Sequence, residues 1–243
     1  MDSNQSSLAG KRAVVTGGAR GIGAAVVREL AVRGARVVAV HRGQRPADES
    51  AAQHAELLVA ADLTDQAQVS DAFARIGGAG PIDVLVNAAG VFAGAPVGAL
   101  SRADFDAQFD GNVWSVLLAT QAALPNFPAS GGRIVNFSSI GAQRPFPGTS
   151  LYAAAKAAVE ALTQAWAQEL GARGITVNAV APGAVRTEMT AWMDEAMRAQ
   201  VAAGTALGRF GEPQDIARVV AFLASADAAW VTGKLIGTDG GMR

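Results

Sequence analysis

Short apolar runs alternate along this chain with longer segments in which apolar residues recur every three or four positions. The run 12–16 reads as a buried strand. A glycine-rich turn follows at once, and then Ile22, Ala25, Val26 and Leu30 fall on one helical face. The same strand signal returns at 36–40, 57–60, 84–87, 134–137 and 176–180, and a short final strand is expected at 234–237. Helical periodicity covers 21–33, 66–76, 102–124, 150–170 and 214–224, the last with Pro213 placed for its first turn. Strand and helix in alternation imply an α/β fold, a doubly wound parallel sheet of about seven strands with helices on both faces.

The chain has 243 residues, half of them hydrophobic and 17% charged, enough for one sizeable core. No fixed-period repeat, low-complexity tract or linker divides it, so a single domain over 1–243 is expected, with 1–10 as a polar lead-in. That lead-in lacks the basic-then-apolar order of a secretory signal, and a cytoplasmic protein is the simplest expectation. The uncharged run 111–132 contains Asn112, Gln121, Pro125, Asn126 and Pro128, which argues against a membrane span. Twenty basic against 21 acidic residues give a charge of −1, without the positive field of a nucleic-acid binder. The absence of cysteine excludes disulfides, thiolate metal sites and a thiol nucleophile. The two histidines, His41 and His54, lie in no ligand cluster, so no metal is expected.

The turn Thr16-Gly17-Gly18-Ala19-Arg20-Gly21-Ile22-Gly23 is the first candidate for chemistry. Glycines between a strand and a helix N-terminus let the backbone approach a pyrophosphate, which makes a dinucleotide the natural ligand. The spacing departs from G-x-G-x-x-G, with Gly17, Gly21 and Gly23 as the glycines that matter, and an ordinary tight turn is the alternative. About 20 residues further on, an NAD-binding fold would place a carboxylate for the ribose 2′-hydroxyl. Here the second strand ends in His41 and Arg42, and Arg20 sits in the turn, so guanidinium groups are placed for a 2′-phosphate and NADP(H) is expected. The plain alternative is that both arginines are solvated surface charges.

The single tyrosine, Tyr152, stands four residues before Lys156, one of three lysines, on the same face of the 150–170 helix. A phenol of pKa about 10 is a poor acid or base near neutrality, but a cation about 4 Å away would favour phenolate by about 4 kcal/mol at an effective dielectric of about 20. Thirteen residues earlier, Ser139 follows a strand at the edge where an open parallel sheet presents its site, and its hydroxyl can orient a carbonyl. Singly, these residues read as a helix-face tyrosine, a solvated lysine and a turn serine.

Together with Asn87-Ala88-Ala89-Gly90, Asn112, Pro182-Gly183 and the ending Thr232-Gly233 through Asp239-Gly240-Gly241, they resemble the short-chain dehydrogenase/reductase family over nearly the whole chain. The resemblance implies a Rossmann fold. It makes Tyr152 the proton donor or acceptor, with Lys156 lowering its pKa and holding the nicotinamide ribose. Ser139 would polarise the carbonyl, and Asn112 would hold a water in a proton relay. It assigns the cofactor to Gly17, Arg20, Gly21, Ile22, Gly23, His41, Arg42, Asp62 and Leu63. Beyond these it adds Asn87, Ala88, Gly90, Pro182, Gly183, Val185 and Thr187, besides Tyr152 and Lys156. It also places a variable substrate lid at 188–210 and implies a homotetramer.

Met189, Trp192 and Met193 in that lid, with Phe92, Gln143 and Phe146, are the candidate substrate residues. Apart from Arg144 and Arg209 these loops carry no arginine cluster, so a moderately apolar carbonyl or alcohol is the expected small-molecule substrate. The closest general likeness is to 3-oxoacyl-carrier-protein reductases and related carbonyl reductases. Their basic residues before the serine strand are missing from 124–132, so ketone reduction stands ahead of thioester reduction and of secondary-alcohol dehydrogenation. A nucleotide-binding sensor or scaffold is the non-enzyme alternative.

Overall fold

Seven strands run parallel in the order β3-β2-β1-β4-β5-β6-β7. They are β1 (Arg12–Thr16), β2 (Arg36–His41), β3 (Leu57–Ala60), β4 (Val84–Asn87), β5 (Gly132–Phe137), β6 (Ile175–Pro182) and β7 (Leu235–Thr238). The computed structural model describes residues 7–43 and 49–242, and the first six residues of the expected lead-in lie outside that range. Strand order reverses between β1 and β4, so the crevice that ligands use in such sheets opens there, at the carboxyl ends.

Both faces are covered, as a parallel sheet requires. On one face α1 (Gly21–Val32) and α9 (Pro213–Ala224) bury Val26, Val27, Leu30, Ile216 and Val220 against β1 and its neighbours. On the other, α3 (Gln66–Gly78), α5 (Ser115–Ala123) and α7 (Ser150–Leu170) bury Val69, Phe73, Leu118, Ala167 and Leu170. Local chemistry sets the helix starts. Asp65 accepts from Ala67 and Gln68 at the N-terminus of α3, and Glu212 with Asp215 forms a reciprocal cap at α9, where Pro213 occupies the first position.

Three expectations need correction. The 102–124 periodicity does not make one helix: α4 (Arg102–Phe109) passes into a π turn over Asp110–Trp114 before α5, and Leu124–Asn126 closes as a 3₁₀ turn. The extra residue per turn is held by Asn112, as described below. Two short helices absent from the sequence reading also occur, α2 (Glu49–His54) and α6 (Ile140–Gln143), each too short to show a clear apolar stripe, and the lid segment carries a helix of its own, α8 (Glu195–Ala203). Finally, the lead-in is not simply polar. Leu8 is 1% exposed within the α1 side of the core, and its N–H donates to the Arg33 carbonyl at 3.0 Å. No helix among the described residues is long and apolar enough to cross a membrane.

Leu8 therefore belongs to the core despite its place near the terminus. Leu8→Ala is expected to lower unfolding free energy by about 2–4 kcal/mol, read from the denaturant midpoint. A loss below about 0.5 kcal/mol, the range of surface substitutions, would show that this segment is not held.

Candidate active site

The carboxyl ends of β1, β4, β5 and β6 open into a cleft of about 1870 Å³. That exceeds the roughly 300–1,000 Å³ of ordinary small-molecule sites and leaves room for a dinucleotide and a second ligand together.

Its first wall is the turn after β1. Thr16 is buried, and its hydroxyl lies between the Val86 carbonyl and the Ala89 N–H, tying the turn to the end of β4. A side chain at Gly17, which has φ +65°, would place its Cβ 2.8 Å from the Ala89 Cα, and one at Gly23 would stand 2.1 Å from the Gly17 carbonyl oxygen. Both positions therefore need glycine for the turn to close. Helix α1 begins at Arg20 with no side-chain cap and no acid in its first turn, so its leading N–H groups face the cleft without a competing carboxylate. These features fit a pyrophosphate, which would complete the helix terminus.

One end of the cleft carries its arginines, each beside a carboxylate. His41 and Arg42 line it after β2. Arg42 lies 3.9 Å from Asp62, while the Asp62 Oδ1 is engaged by the N–H and hydroxyl of Thr64, which hold its carboxyl below the usual range. Arg20 pairs with Glu188 at 3.0 Å. Both ion pairs are exposed and each contributes on the order of 0–1 kcal/mol, so either guanidinium can be redirected to a phosphate at little cost.

At the other end, Ser139 caps α6 and accepts from the Gly141 N–H at 3.1 Å, and its hydroxyl acts on the phenol of Tyr152 on the first turn of α7, favouring the charged form. Phe92 meets the Tyr152 ring edge-on, with centroids 5.0 Å apart. One turn along α7, Lys156 is buried. Its Nζ donates to the Phe137 carbonyl at 3.0 Å and sits 5.9 Å from the Tyr152 ring centroid.

Asn112, in the π turn, donates to the Val91 and Gln108 carbonyls and accepts from the Val91 N–H. Both its amide hydrogens are thus committed, so a water held here would meet its oxygen atoms. At Gly90 a Cβ would be 2.8 Å from Asn112 Oδ1 and 3.2 Å from Lys156 Nζ, so glycine leaves the space that these two side chains use.

The protein's own groups shift Tyr152 in the direction opposite to the sequence expectation. Burial raises the phenol above its ordinary 10, and the Ser139 hydrogen bond only partly offsets this. Lys156 does not reverse it, because its ammonium is directed at Phe137. Burial also lowers Lys156 from 10.5 to about 8.

The structure brings nearly all the residues proposed from sequence onto this one cleft. Ile22, Leu63, Ala88, Pro182, Gly183, Val185, Thr187, Met189, Trp192 and Phe146 line it together with those already described. Three do not line it. Asn87 is buried beneath the cleft, donating to Thr120 and Asn136. Gln143 stands off it because the chain turns at Arg144 and brings Pro145 and Phe146 to the cleft instead. Met193 is half-buried off the cleft, its N–H donating to the Thr190 carbonyl, while Met189, in the 3₁₀ turn Glu188–Thr190, and Trp192, just beyond it, line the cleft.

Sequence reasoning missed Ser138, whose hydroxyl donates to Glu160 at 2.7 Å, and Glu188, the partner of Arg20. Ser138 could have been suspected from the doubled serine, whereas nothing local marked Glu188.

With this geometry in view, likeness to known proteins is informative. The family model described as Enoyl-(Acyl carrier protein) reductase matches residues 17–243. The 3-oxoacyl-[acyl-carrier-protein] reductase of Thermotoga maritima is 39% identical, with 97% of this chain and 98% of that protein covered. A short-chain dehydrogenase/reductase from Serratia marcescens superposes with TM-score 0.90 at 39% identity, covering 96% of this chain and 98% of the other. A blue fluorescent protein from a metagenomic library, solved in complex with NADPH, superposes with TM-score 0.89 at 40% identity over 97% and 98%. The chain belongs to the short-chain dehydrogenase/reductase family, and its seven-stranded parallel sheet is the Rossmann-like fold of those structures.

The buried Lys156 gives a stability signature. Between about pH 8 and 10.5 the unfolded chain keeps a proton that the folded chain has released, so the wild type gains stability as pH rises through this window. Below it the burial cost stands at full size, about 3 kcal/mol. Lys156→Met removes that cost. The stability difference, variant minus wild type, is therefore expected to fall by about 2 kcal/mol between about pH 7 and about pH 10 in denaturant titrations. A difference that stays flat would mean that Lys156 keeps its ordinary pKa.

Proposed function

We propose that this protein is an NADPH-dependent reductase that converts the ketone of a moderately apolar substrate to a secondary alcohol. The observation that carries this reading is the Ser139–Tyr152 hydroxyl pair, with the Lys156 ammonium buried behind it, at the apolar end of a cleft whose other end holds Arg20, His41 and Arg42. Two adjacent O–H donors suit one carbonyl oxygen. The reduced nicotinamide, when bound, supplies a hydride.

Ser139 then holds the carbonyl oxygen, and Tyr152 gives it a proton as negative charge develops there. The Tyr152 phenol is protonated at neutral pH, and burial moves its titration further from neutrality, which suits reduction; oxidation would need the phenolate and is favoured by alkali. Gly17, Gly21, Ile22 and Gly23 would hold the pyrophosphate, with Arg20, His41 and Arg42 near the 2′-phosphate and Asp62 and Leu63 near the adenine. Pro182, Gly183, Val185 and Thr187 would flank the nicotinamide, and 188–210 would act as the lid. NADPH in the metagenomic relative supports the phosphate assignment.

Reduction of a 3-oxoacyl thioester is the second reading, favoured by the name of the Thermotoga maritima relative. The absence of basic residues from 124–132 weighs against an acidic carrier.

Purified protein should oxidise NADPH with simple and aryl ketones faster than with an acetoacetyl thioester, and faster than it oxidises NADH. Tyr152→Phe should lose at least about 100-fold in turnover while binding NADPH as before. Loss of all ketone turnover in the wild type would refute the reductase, and a strong thioester preference would promote the second reading.

Arg42→Asp should raise the KM for NADPH about tenfold or more, because a charge-assisted contact becomes a repulsion, with a much smaller effect on NADH. Equal effects on the two cofactors would remove Arg42 from the 2′-phosphate site.

A further inference from the structure

The walls around Tyr152 carry a chemical selection that the reductase reading leaves open. From Phe92, which packs on the Tyr152 ring, the chain continues as Ala93-Gly94-Ala95-Pro96-Val97 along the cleft, and Pro145-Phe146-Pro147-Gly148 lies beside it. Neither segment contains an ionisable side chain.

The two are stitched together. The Ala95 N–H donates to the Gly148 carbonyl at 2.9 Å, and a Cβ at Gly94 would come within 2.9 Å of the same oxygen. Thr149 closes the second segment, its hydroxyl donating to the Phe146 carbonyl at 2.7 Å and accepting from the Phe146 N–H. Three prolines stiffen the wall further. It is preformed and apolar.

The rim repeats the pattern. Val97 is 86% exposed, Trp192 56%, Phe146 53% and Met189 47%, and all four line this cleft. Large apolar groups held in water around a concave site mark a surface that a ligand covers. The cleft's arginines stand elsewhere: Arg20 and Arg42 follow β1 and β2, whereas these two segments follow β4 and β5, and the Lys156 ammonium donates to the Phe137 carbonyl.

Resting on the reductase reading, we infer that the substrate is a neutral ketone with an extended apolar body. Its carbonyl meets Ser139 and Tyr152, and its body runs outward along the 92–97 and 145–148 wall to Phe146 and Trp192. An anionic group on that body would lose its hydration against apolar walls without gaining a cation, so carboxylate-bearing ketones are discriminated against.

The test compares kcat/KM at saturating NADPH for acetophenone, 2-acetonaphthone and 4-acetylbenzoate. The naphthyl ketone should exceed acetophenone at least tenfold, and the carboxylate should fall at least tenfold below it. Phe146→Ser and Trp192→Ser should each reduce the naphthyl-to-phenyl ratio several-fold. Turnover of all three at similar kcat/KM, or a ratio unmoved by both substitutions, overturns this inference and leaves the ketone reductase standing. Turnover of none of the three, nor of simple aliphatic ketones, overturns the reductase reading and this inference with it.

Discussion

A lysine ammonium loses several kcal/mol of hydration when it is buried, so a fold that buries one must supply an acceptor at a fixed place. For Lys156 that acceptor is the carbonyl of Phe137, the last residue of β5. The bond can form only if α7 lies on β5 in one register, and the neighbouring contacts hold that register. Asn136 donates to Thr163 at 2.9 Å, and Ser138 donates to Glu160 at 2.7 Å. Three consecutive residues, the last two of β5 and Ser138 just beyond it, thus fix α7 at three points along its length. Ala153 and Ala155 are buried where larger side chains would hold the helix off. With the helix set in this way, its first turn delivers Tyr152 to Ser139.

Buried polar side chains also shape the other side of the site, though the Asn87 Oδ1 is left without a partner among the described residues. Asn87 at the end of β4 donates to Asn136, which passes the connection to Thr163, so a buried polar ladder crosses β4, β5 and α7 beneath the cleft. Beyond β4 the chain leaves the sheet, and its backbone at Val91 would otherwise be unpaired. Asn112 fills that need with both ends of its amide, and the π turn at Asp110–Trp114 is the local distortion that carries the side chain there.

Much of this was legible in the sequence, because strand and helix periodicities report which residues must be buried. The glycine-rich turn, β4 and α7 fall where the apolar pattern places them, and α7 spans the expected 150–170. The π turn was not legible. Its residues keep a helical apolar pattern, and what breaks the helix is a hydrogen bond to Val91, a residue 21 positions away. Gln143 and Met193 were misplaced for a similar reason: each sits at a turn, one ending α6 at Arg144 and one closed by the Met193 N–H on the Thr190 carbonyl, and neither has a periodic signature. Leu8 was hidden among polar neighbours, since one apolar residue makes no pattern.

The electrostatic sign at Tyr152 was also beyond the sequence. Tyr-x-x-x-Lys spacing places phenol and ammonium on one helix face, and from that alone a depressed phenol pKa follows. The spacing does not say how much water reaches either group. In the structure both are buried, and burial disfavours the charged form of each, raising Tyr152 and lowering Lys156 to about 8. Near neutral pH the protein's own groups therefore favour a neutral phenol beside a protonated amine. That is the state of a proton donor. The apolar walls that leave an extended neutral substrate as the fitting occupant are also what keep that proton on Tyr152 until negative charge appears on the substrate oxygen.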